Sequence, residues 1–229
     1  ATRDAQNRPT SLIGMDVAIG APGYFVPKTP GNSGPSPLFA AGMWIGGLDS
    51  AGTLHFAGER FEQLGHDFFP GPLGTNASIT PATSTQYDRL WKVNYYEVAQ
   101  QIAYYQCLAD PNCDTQAEFP GYSVPPSFFQ WPAHGDVSLG QAYDLAPFYS
   151  FSGGVQYDPS QGDAPCVPGD KALFSIYNDN LGPHTESGGN PIGVEVHMTS
   201  FEYSSNNTAI NQTVFIRYQI FNRGSLTLH

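Results

Sequence analysis

Short strand-like segments separated by turn residues are the feature that most constrains how this chain can fold. Gly193–Tyr203 and Thr213–Asn222 alternate residue types with the period of two that is typical of β-strands, and Ala172–Tyr177 is a shorter apolar segment. The 25 glycines and 20 prolines of the 229-residue chain mark turns between such segments. These patterns predict a mainly β protein, an antiparallel β-sandwich with long loops rich in proline and glycine.

The same patterns predict how individual strands are placed. Leu38–Asp49 and Thr53–Phe61 flank a turn-forming sequence, which predicts a β-hairpin. Thr213–Asn222 carries apolar residues on both faces, which favours a central position in a sheet. In Gly193–Tyr203 the alternation changes phase near Ser200, which predicts a β-bulge.

One segment has the period of a helix. Val98, Ile102 and Tyr105 follow one another at helical spacing within Asn94–Leu108, and Pro111 stands just beyond. We therefore expect one helical insertion, at about residues 94–108, in an otherwise β-rich domain.

The chain divides into an arm and a domain. Residues 1–37 are predicted to form an extended N-terminal arm, with a strand at Asp16–Ile19, because prolines recur along them. These prolines are Pro22, Pro27, Pro30, Pro35 and Pro37. Residues 38–229 are predicted to form the β-sandwich-type domain. Since the chain stops soon after a strand-like segment, we expect that it is truncated or processed at its C-terminus.

The net charge of the chain argues against two classes of partner. Its 9 lysines and arginines stand against 20 aspartates and glutamates, a formal charge of −11. A polyanion would be repelled, so we expect neither nucleic acid nor an anionic membrane surface as a partner. No apolar run approaches the about 20 residues that a membrane span requires, so membrane insertion is not expected.

Two of the three cysteines are close in sequence. Cys107 and Cys113 enclose Leu-Ala-Asp-Pro-Asn, a turn-forming segment that would bring the two sulfur atoms together. We expect a disulfide between them; the alternative is that these two and Cys166 are buried, reduced thiols. A tetrahedral zinc site is not expected, because no CxxC pair contributes ligands.

Acidic residues in the loop-rich stretch after residue 157 suggest a calcium site. Carboxylates and main-chain carbonyls are the hard oxygen ligands that Ca²⁺ prefers in proteins. The candidate ligands are Asp158, Asp163, Asp170 and Asp179. The alternative is that these aspartates cap turns by accepting hydrogen bonds from nearby main-chain N–H groups.

Histidines and carboxylates suggest a second kind of metal site. Two histidines and one carboxylate would suit zinc or iron, and a metal-dependent hydrolase would use His134, His184 and Glu195. The full candidate set is His134, Asp136, His184, Glu186, Glu195 and His197. Since neither HExxH nor GxSxG occurs, the sequence carries no catalytic signature and we expect no enzyme.

The three tryptophans suggest a binding role without chemistry. Trp44, Trp91 and Trp131, together with many tyrosines, could stack on sugar rings, as a glycan-binding module requires. The alternative is that these large rings pack in the core.

Several longer stretches resemble one family of proteins. They are AGMWIGGLDSAGTLHFAGERFEQLGHDFFPGPL (41–73), WPAHGD (131–136), YDPSQGDAPCVPGDKALFSIYNDN (157–180), GPHTESGGNPIGVEVHMTSFEY (182–203) and TVFIRYQIFNRGS (213–225). These stretches are similar to the N-terminal region of large Bacteroidetes cell-surface proteins, which are secreted by the type IX system and carry a C-terminal sorting domain.

The resemblance has implications for location and for modification. It implies export to the outer face of the outer membrane, and O-glycosylation of Ser50 within Asp49–Ser50–Ala51. It also implies a DxNGDGxYDP loop suited to Ca²⁺, but the acidic positions of that loop are here Ser150, Ser152 and Gly154. The four candidate aspartates match the rest of the family pattern.

The function expected from these observations is structural. We expect a secreted cell-surface structural or adhesive protein, which contacts other surface proteins or copies of itself in a fibre or complex. Strand-rich composition, the proline-rich arm and the lack of a catalytic signature favour this reading. The alternative is a glycan-binding module attached to a larger surface protein or hydrolase.

Overall fold

The computed structural model of the chain describes residue 35 and residues 40–60 and 63–229. The predicted arm, residues 1–37, and its strand at Asp16–Ile19 therefore lie outside the described residues, except for Pro35. Strands β1–β9 are Trp44–Leu48, Leu54–Gly58, Phe69–Pro70, Trp91–Asn94, Phe148–Tyr149, Ala164–Pro165, Lys171–Asn178, Val194–Glu202 and Phe215–Asn222. Helices α1–α4 are Pro81–Tyr87, Tyr95–Ala109, Thr115–Glu118 and Thr208–Asn211. None of these helices combines the length and the apolar character that crossing a bilayer would demand.

Five strands form one antiparallel sheet, which confirms the predicted mainly β fold. β8 lies in its middle, with β7 on one side and β9 on the other. β3 and β4 both pair with the far edge of β7, at opposite ends of that strand. The pairs β1–β2 and β5–β6 form two smaller sheets.

The prediction that Thr213–Asn222 is a central strand is wrong. Within the described chain, β9 pairs with β8 alone and is the last strand of the sheet. Apolar residues on both faces of a strand do not require that both faces are covered, and here Tyr218 and Ile220 are 39% and 49% exposed. The central strand is β8, which is buried from Val194 to Ser200.

The predicted β-bulge near Ser200 is also wrong. β8 pairs residue for residue with β7 and with β9 through this position. Both faces of β8 are covered by other parts of the protein, so polar residues on either face are buried. The alternation of residue types changes phase because Thr199 and Ser200 are buried polar residues of a regular strand.

Each face of the large sheet packs against a layer of its own, which gives the fold its sandwich-like character. On one face the β1–β2 hairpin brings Ala57 against Val194, Val196 and Met198. On the other face α2 and the long loops pack around Phe174 and its neighbours. The loops thus complete a core that the short strands alone are too few to enclose.

The predicted helical insertion is confirmed as α2. It begins after Asn94, whose side chain accepts a hydrogen bond from the Tyr96 N–H (3.0 Å) as an N-cap. Near its C-terminus Cys107 is joined to Cys113, with their Cα atoms 5.2 Å apart, which confirms the predicted disulfide. Cys166 is a free and exposed thiol.

The predicted β-hairpin is confirmed as β1 and β2, with Leu48 opposite Leu54. Asp49 holds the turn, because one carboxylate oxygen accepts from the N–H groups of Ala51 (2.9 Å) and Thr53 (2.8 Å). Gly52, with a φ of +80°, completes the loop in a conformation that favours glycine.

Candidate functional site

Two of the aspartates predicted to bind calcium organise the loop between β5 and β7. Asp163 is buried, and its two carboxylate oxygens accept from the N–H groups of Phe151 (2.8 Å) and Asp158 (2.9 Å). Asp158 in turn caps a 3₁₀ turn by accepting from the N–H (2.9 Å) and hydroxyl (2.6 Å) of Ser160. The buried Gln101 of α2 donates to the Asp163 carbonyl (3.1 Å), so the helix anchors this loop.

The other two aspartates lie at the ends of β7. Asp170 accepts from the Ser204 N–H (2.5 Å), and Asp179 accepts from three N–H groups of residues 192–194 (2.6–2.9 Å). No three His, Cys, Asp or Glu side chains among the described residues form a group that could hold a metal ion. The geometry therefore favours the turn-cap alternative, and calcium binding by these aspartates stays a prediction.

The six residues of the predicted histidine and carboxylate set fall into separate groups, and Glu195 and His197 are the pair that contact each other (2.8 Å). His134 accepts at Nε2 from the Tyr157 N–H (3.0 Å), and its Nδ1 lies 3.3 Å from the Tyr143 carbonyl oxygen. Both ring nitrogens are thus engaged, and neither is free for a metal ion. Other partners are Ser138 for Asp136 and Arg60 for Glu186.

A buried charge cluster surrounds His184, which has no exposed side-chain surface. Its Nδ1 lies 2.7 Å from the Phe56 carbonyl oxygen and its Nε2 lies 2.7 Å from the Asp179 carbonyl oxygen. These two contacts hold the ring between β2 and the residue that follows β7. The carboxylates of Asp67 (3.9 Å) and Asp179 (3.7 Å) lie beside the ring. The cluster ties β2 to the connection between β7 and β8.

Asp67 is the member of this cluster that sequence reasoning missed. Burial raises the pKa of its carboxyl, but hydrogen bonds from Ser187, Gly58 and Glu186 outweigh burial and hold that pKa below its usual value. The sequence signal that could have found Asp67 is its place in a turn-rich stretch that is dense in histidine and acidic residues.

A second buried charge cluster fastens β9 to the sheet. One Glu195 oxygen accepts from His197 (2.8 Å) and Arg223 (2.8 Å), and the other accepts from the Leu73 N–H (2.7 Å). Burial raises the pKa of Glu195, but the hydrogen bonds from His197 and Arg223 outweigh burial and lower it. Since Arg223 directly follows β9, this ion pair fixes the end of that strand.

The predicted glycosylation site Ser50 lies at the exposed tip of the hairpin. Beneath it, the His55 ring contacts the Pro191 carbonyl oxygen (2.6 Å) and the Asp49 carboxylate (3.2 Å). The Pro191 hydrogen bond chiefly, together with Asp49, raises the pKa of His55. The turn that presents Ser50 is therefore well supported, and its modification stays a prediction.

The three tryptophans have different roles. Trp91 and Trp131 are buried in the core on the helix side of the sheet, as the packing alternative predicts. Trp44 is 65% exposed, and register places it on the same face of the hairpin as Leu48 and Leu54, which are about half exposed. This outer face of the hairpin is a candidate binding surface.

The most extended candidate surface is the outer side of β9, which we call the β9 edge. It is eight residues long and contains no proline, glycine or lysine. Its exposed apolar side chains include Phe215, Tyr218 and Ile220. A long, regular edge strand presents unpaired N–H and C=O groups to any strand of suitable sequence.

The opposite edge of the sheet is protected. β3 has two residues and includes Pro70, whereas β4 has four residues, includes Lys92 and leads straight into α2. Short strands, proline and lysine are the usual devices that prevent pairing between sheet edges. Only the β9 edge lacks them among the described edges of this sheet.

Comparison of the chain with protein-family models, with curated proteins and with solved structures gave no significant match.

Proposed function

We propose that this chain is a secreted cell-surface protein with a structural or adhesive role, whose β9 edge binds a strand of a neighbouring molecule. The observation that carries the proposal is a regular eight-residue edge strand without proline, glycine or lysine and with a single charge, Arg217. Strand addition supplies main-chain hydrogen bonds for affinity, and alternate side chains supply specificity. The neighbouring molecule is a second copy of this chain, so that binding is measured as self-association.

Other properties support an extracellular location. The Cys107–Cys113 disulfide is a bond that persists in oxidising compartments. The sequence blocks that resemble type IX-secreted Bacteroidetes surface proteins favour the same location. The charge of −11 reduces non-specific association, so that contacts depend on a matching strand.

Sedimentation velocity over a range of concentrations tests the proposal. The wild-type chain is expected to form higher-order species as its concentration rises. Tyr218→Lys combined with Ile220→Lys is expected to remain monomeric, because charged side chains on an edge strand block pairing. Both side chains are partly exposed, so the substitutions leave the core intact.

The matched control is Val155→Lys, which places a lysine at a side chain that is 73% exposed and remote in sequence from the sheet. This variant is expected to associate like the wild type. A wild-type chain that stays monomeric at high concentration, or a β9 variant that associates as well as the control, contradicts the proposal.

A second candidate function is glycan binding at the outer face of the hairpin. The specific observation is that Trp44 is 65% exposed while its Nε1 donates to the Glu59 carbonyl oxygen (2.9 Å). A ring that is fixed in orientation and open to solvent is suited to stacking on a sugar. The neighbouring Leu48 and Leu54 extend the apolar surface.

A glycan array separates this candidate from the first. Binding that is lost in Trp44→Ala and retained in Phe129→Ala, a control ring that is 58% exposed, would favour glycan recognition. An array on which the wild-type chain binds no glycan would remove the candidate.

A further inference from the structure

The unpaired main-chain groups of the β9 edge belong to alternate residues of the strand. Just beyond the β8–β9 pair, the Arg223 N–H donates to the carbonyl oxygen of Gly193, the residue opposite it (3.0 Å). Since the direction of the main-chain groups alternates along a strand, the odd-numbered residues of β9 direct theirs toward β8 and the even-numbered residues direct theirs outward. The outward N–H and C=O groups are therefore those of Ile216, Tyr218, Ile220 and Asn222.

A second β9 strand can complete this ladder in only a few registers. In an antiparallel pair, hydrogen bonds form where outward residues of the two strands stand directly opposite each other. Since the outward residues are the even-numbered ones in both copies, the two-fold axis of such a pair runs through a residue position, where that residue stands opposite its own copy. Registers centred on Tyr218 and on Gln219 pair nearly the whole of β9, and other registers pair less of it.

Charge distinguishes these registers, because Arg217 is the single charge in β9. A register centred on Arg217 would bring the two guanidinium groups together, which opposes pairing. A register centred on Gln219 would place Arg217 opposite Phe221, whose ring centroid already lies 5.0 Å from the Arg223 guanidinium. The register centred on Tyr218 places Arg217 opposite Gln219 of the second copy. That amide can accept from a guanidinium, as it does within β9, where Arg217 donates to Gln219 (2.9 Å).

We propose that two copies of this chain pair antiparallel through their β9 strands, about a two-fold axis at Tyr218, so that two five-stranded sheets become one continuous sheet. This inference rests on the proposed function and names the contact that carries it. In this register Ile216 stands opposite Ile220 of the second copy, on the face that packs toward the hairpin. Phe215 stands opposite Phe221 on the other face. Apolar cross-strand pairs on both faces stabilise the contact.

The exposure of β9 fits this contact. Tyr218 and Ile220 are 39% and 49% exposed on one face, and Arg217 and Gln219 are exposed on the other. A second β9 strand covers the apolar side chains, and their burial favours pairing. The contact is isologous and uses β9 of both copies, so association through it ends at the dimer.

Charge substitutions at Gln219 test the register by sedimentation velocity. Because Gln219 lies opposite Arg217 twice in each dimer, Gln219→Glu is expected to strengthen dimerisation by about tenfold and Gln219→Lys to weaken it by about tenfold. In a register centred on Gln219, Gln219→Glu would bring two carboxylates together and weaken dimerisation, which would overturn the proposal. The matched controls are Gln106→Glu and Gln106→Lys, at an exposed position of α2, and both are expected to dimerise like the wild type.

Disulfide cross-linking measures the same register directly. Tyr218→Cys and Ile220→Cys are made separately, each with Cys166→Ser to remove the exposed free thiol. In the proposed register the two copies of residue 218 form a hydrogen-bonded pair with Cα atoms about 5.5 Å apart, which a disulfide can bridge. The two copies of residue 220 are displaced by about 14 Å along the strands, which a disulfide cannot bridge.

Mild oxidation is therefore expected to give a covalent dimer of the Tyr218→Cys chain and none of the Ile220→Cys chain. A covalent dimer of Ile220→Cys, or the absence of one for Tyr218→Cys, would overturn the proposal.

The variants also separate this inference from the proposed function. If Tyr218→Lys/Ile220→Lys abolishes self-association while neither substitution at Gln219 alters it, the β9 edge pairs with another strand of the second copy and the two-fold assignment is wrong. If the wild-type chain stays monomeric at high concentration, both proposals are wrong. Far-UV circular dichroism of each variant confirms that the fold is retained.

Discussion

The substitution Asp179→Asn tests whether this aspartate is a structural cap or a metal ligand. Asp179 is fully buried, and its carboxylate accepts from three N–H groups at the start of β8. Asparagine has nearly the same shape, so the substitution changes charge and hydrogen bonding without leaving a cavity. Its amide nitrogen cannot accept, so at least one of the three N–H groups loses its partner.

The expected loss of stability is large. A buried hydrogen bond to a charged group contributes about 1.5–3 kcal/mol, and the Ile192 N–H loses such a bond at 2.6 Å. The two remaining bonds become neutral, which weakens each of them. With one bond lost and two weakened, we expect Asp179→Asn to lower the free energy of unfolding by about 3 kcal/mol.

Guanidinium chloride denaturation of both proteins, with and without EDTA, is the assay. The wild-type free energy of unfolding is expected to be the same with EDTA as without it. The control is Asp158→Asn, a partly exposed cap, whose free energy of unfolding should stay within about 0.5 kcal/mol of wild type, since Asn caps as well as Asp.

Two results would refute this reasoning. The first is a loss below about 1 kcal/mol for Asp179→Asn, which would mean that the three hydrogen bonds contribute little. The second is a wild-type stability that falls with EDTA to the level of the variant and recovers with added Ca²⁺. That result would assign Asp179 to a calcium site.

Three further predictions concern stability. Hydrogen bonds from His197 and Arg223 lower the pKa of Glu195 against the effect of burial. The ionised Glu195 therefore stabilises the fold above the ordinary carboxyl pKa, and this stabilisation is lost as pH falls through the lowered pKa. The free energy of unfolding should fall less steeply with acid in Glu195→Gln than in the wild type. The hydrogen bond to the Pro191 carbonyl raises the pKa of His55. The protonated His55 therefore stabilises the fold fully below about pH 6.5, and this stabilisation is lost as pH rises through the raised pKa. His55→Gln should remove this decrease in the free energy of unfolding, and an unchanged pH profile would contradict the prediction. Replacing Cys107 and Cys113 by serine should lower the free energy of unfolding by about 2 kcal/mol, a small loss because the loop that the disulfide closes is short. Thermal unfolding measures this loss, and a loss near zero would contradict the prediction.

Local patterns were sufficient for the parts of the fold that depend on nearby residues. The hairpin β1–β2, helix α2 and the Cys107–Cys113 disulfide each depend on a turn, a period or a spacing within a few residues. Such features are encoded where they form, so the sequence alone predicts them.

The errors concern features that depend on distant residues. Whether β9 is central or at an edge depends on which strand lies beside it, and nothing in Thr213–Asn222 determines that. The apparent phase change at Ser200 arises because β8 is covered on both faces, so polar residues there satisfy their hydrogen bonds inside the protein.

The candidate sites were predicted as residue types but not as groups. Asp179 and His184 do meet, but their partner Asp67 comes from a loop more than a hundred residues earlier, and the group is a charge cluster that ties strands together. Residue type alone groups His134 with His184, whereas the His134 ring is engaged by Tyr143 and Tyr157. Chain topology, which composition does not reveal, decides these groupings.

Negative-stain electron microscopy of the wild-type chain beside the Tyr218→Lys/Ile220→Lys variant tests the central proposal most directly. Association through the β9 edge predicts particles of two or more chains for the wild type and single-chain particles for the variant at the same concentration. Single-chain particles in both samples, or larger assemblies in both, would contradict the assignment of the β9 edge as the contact surface.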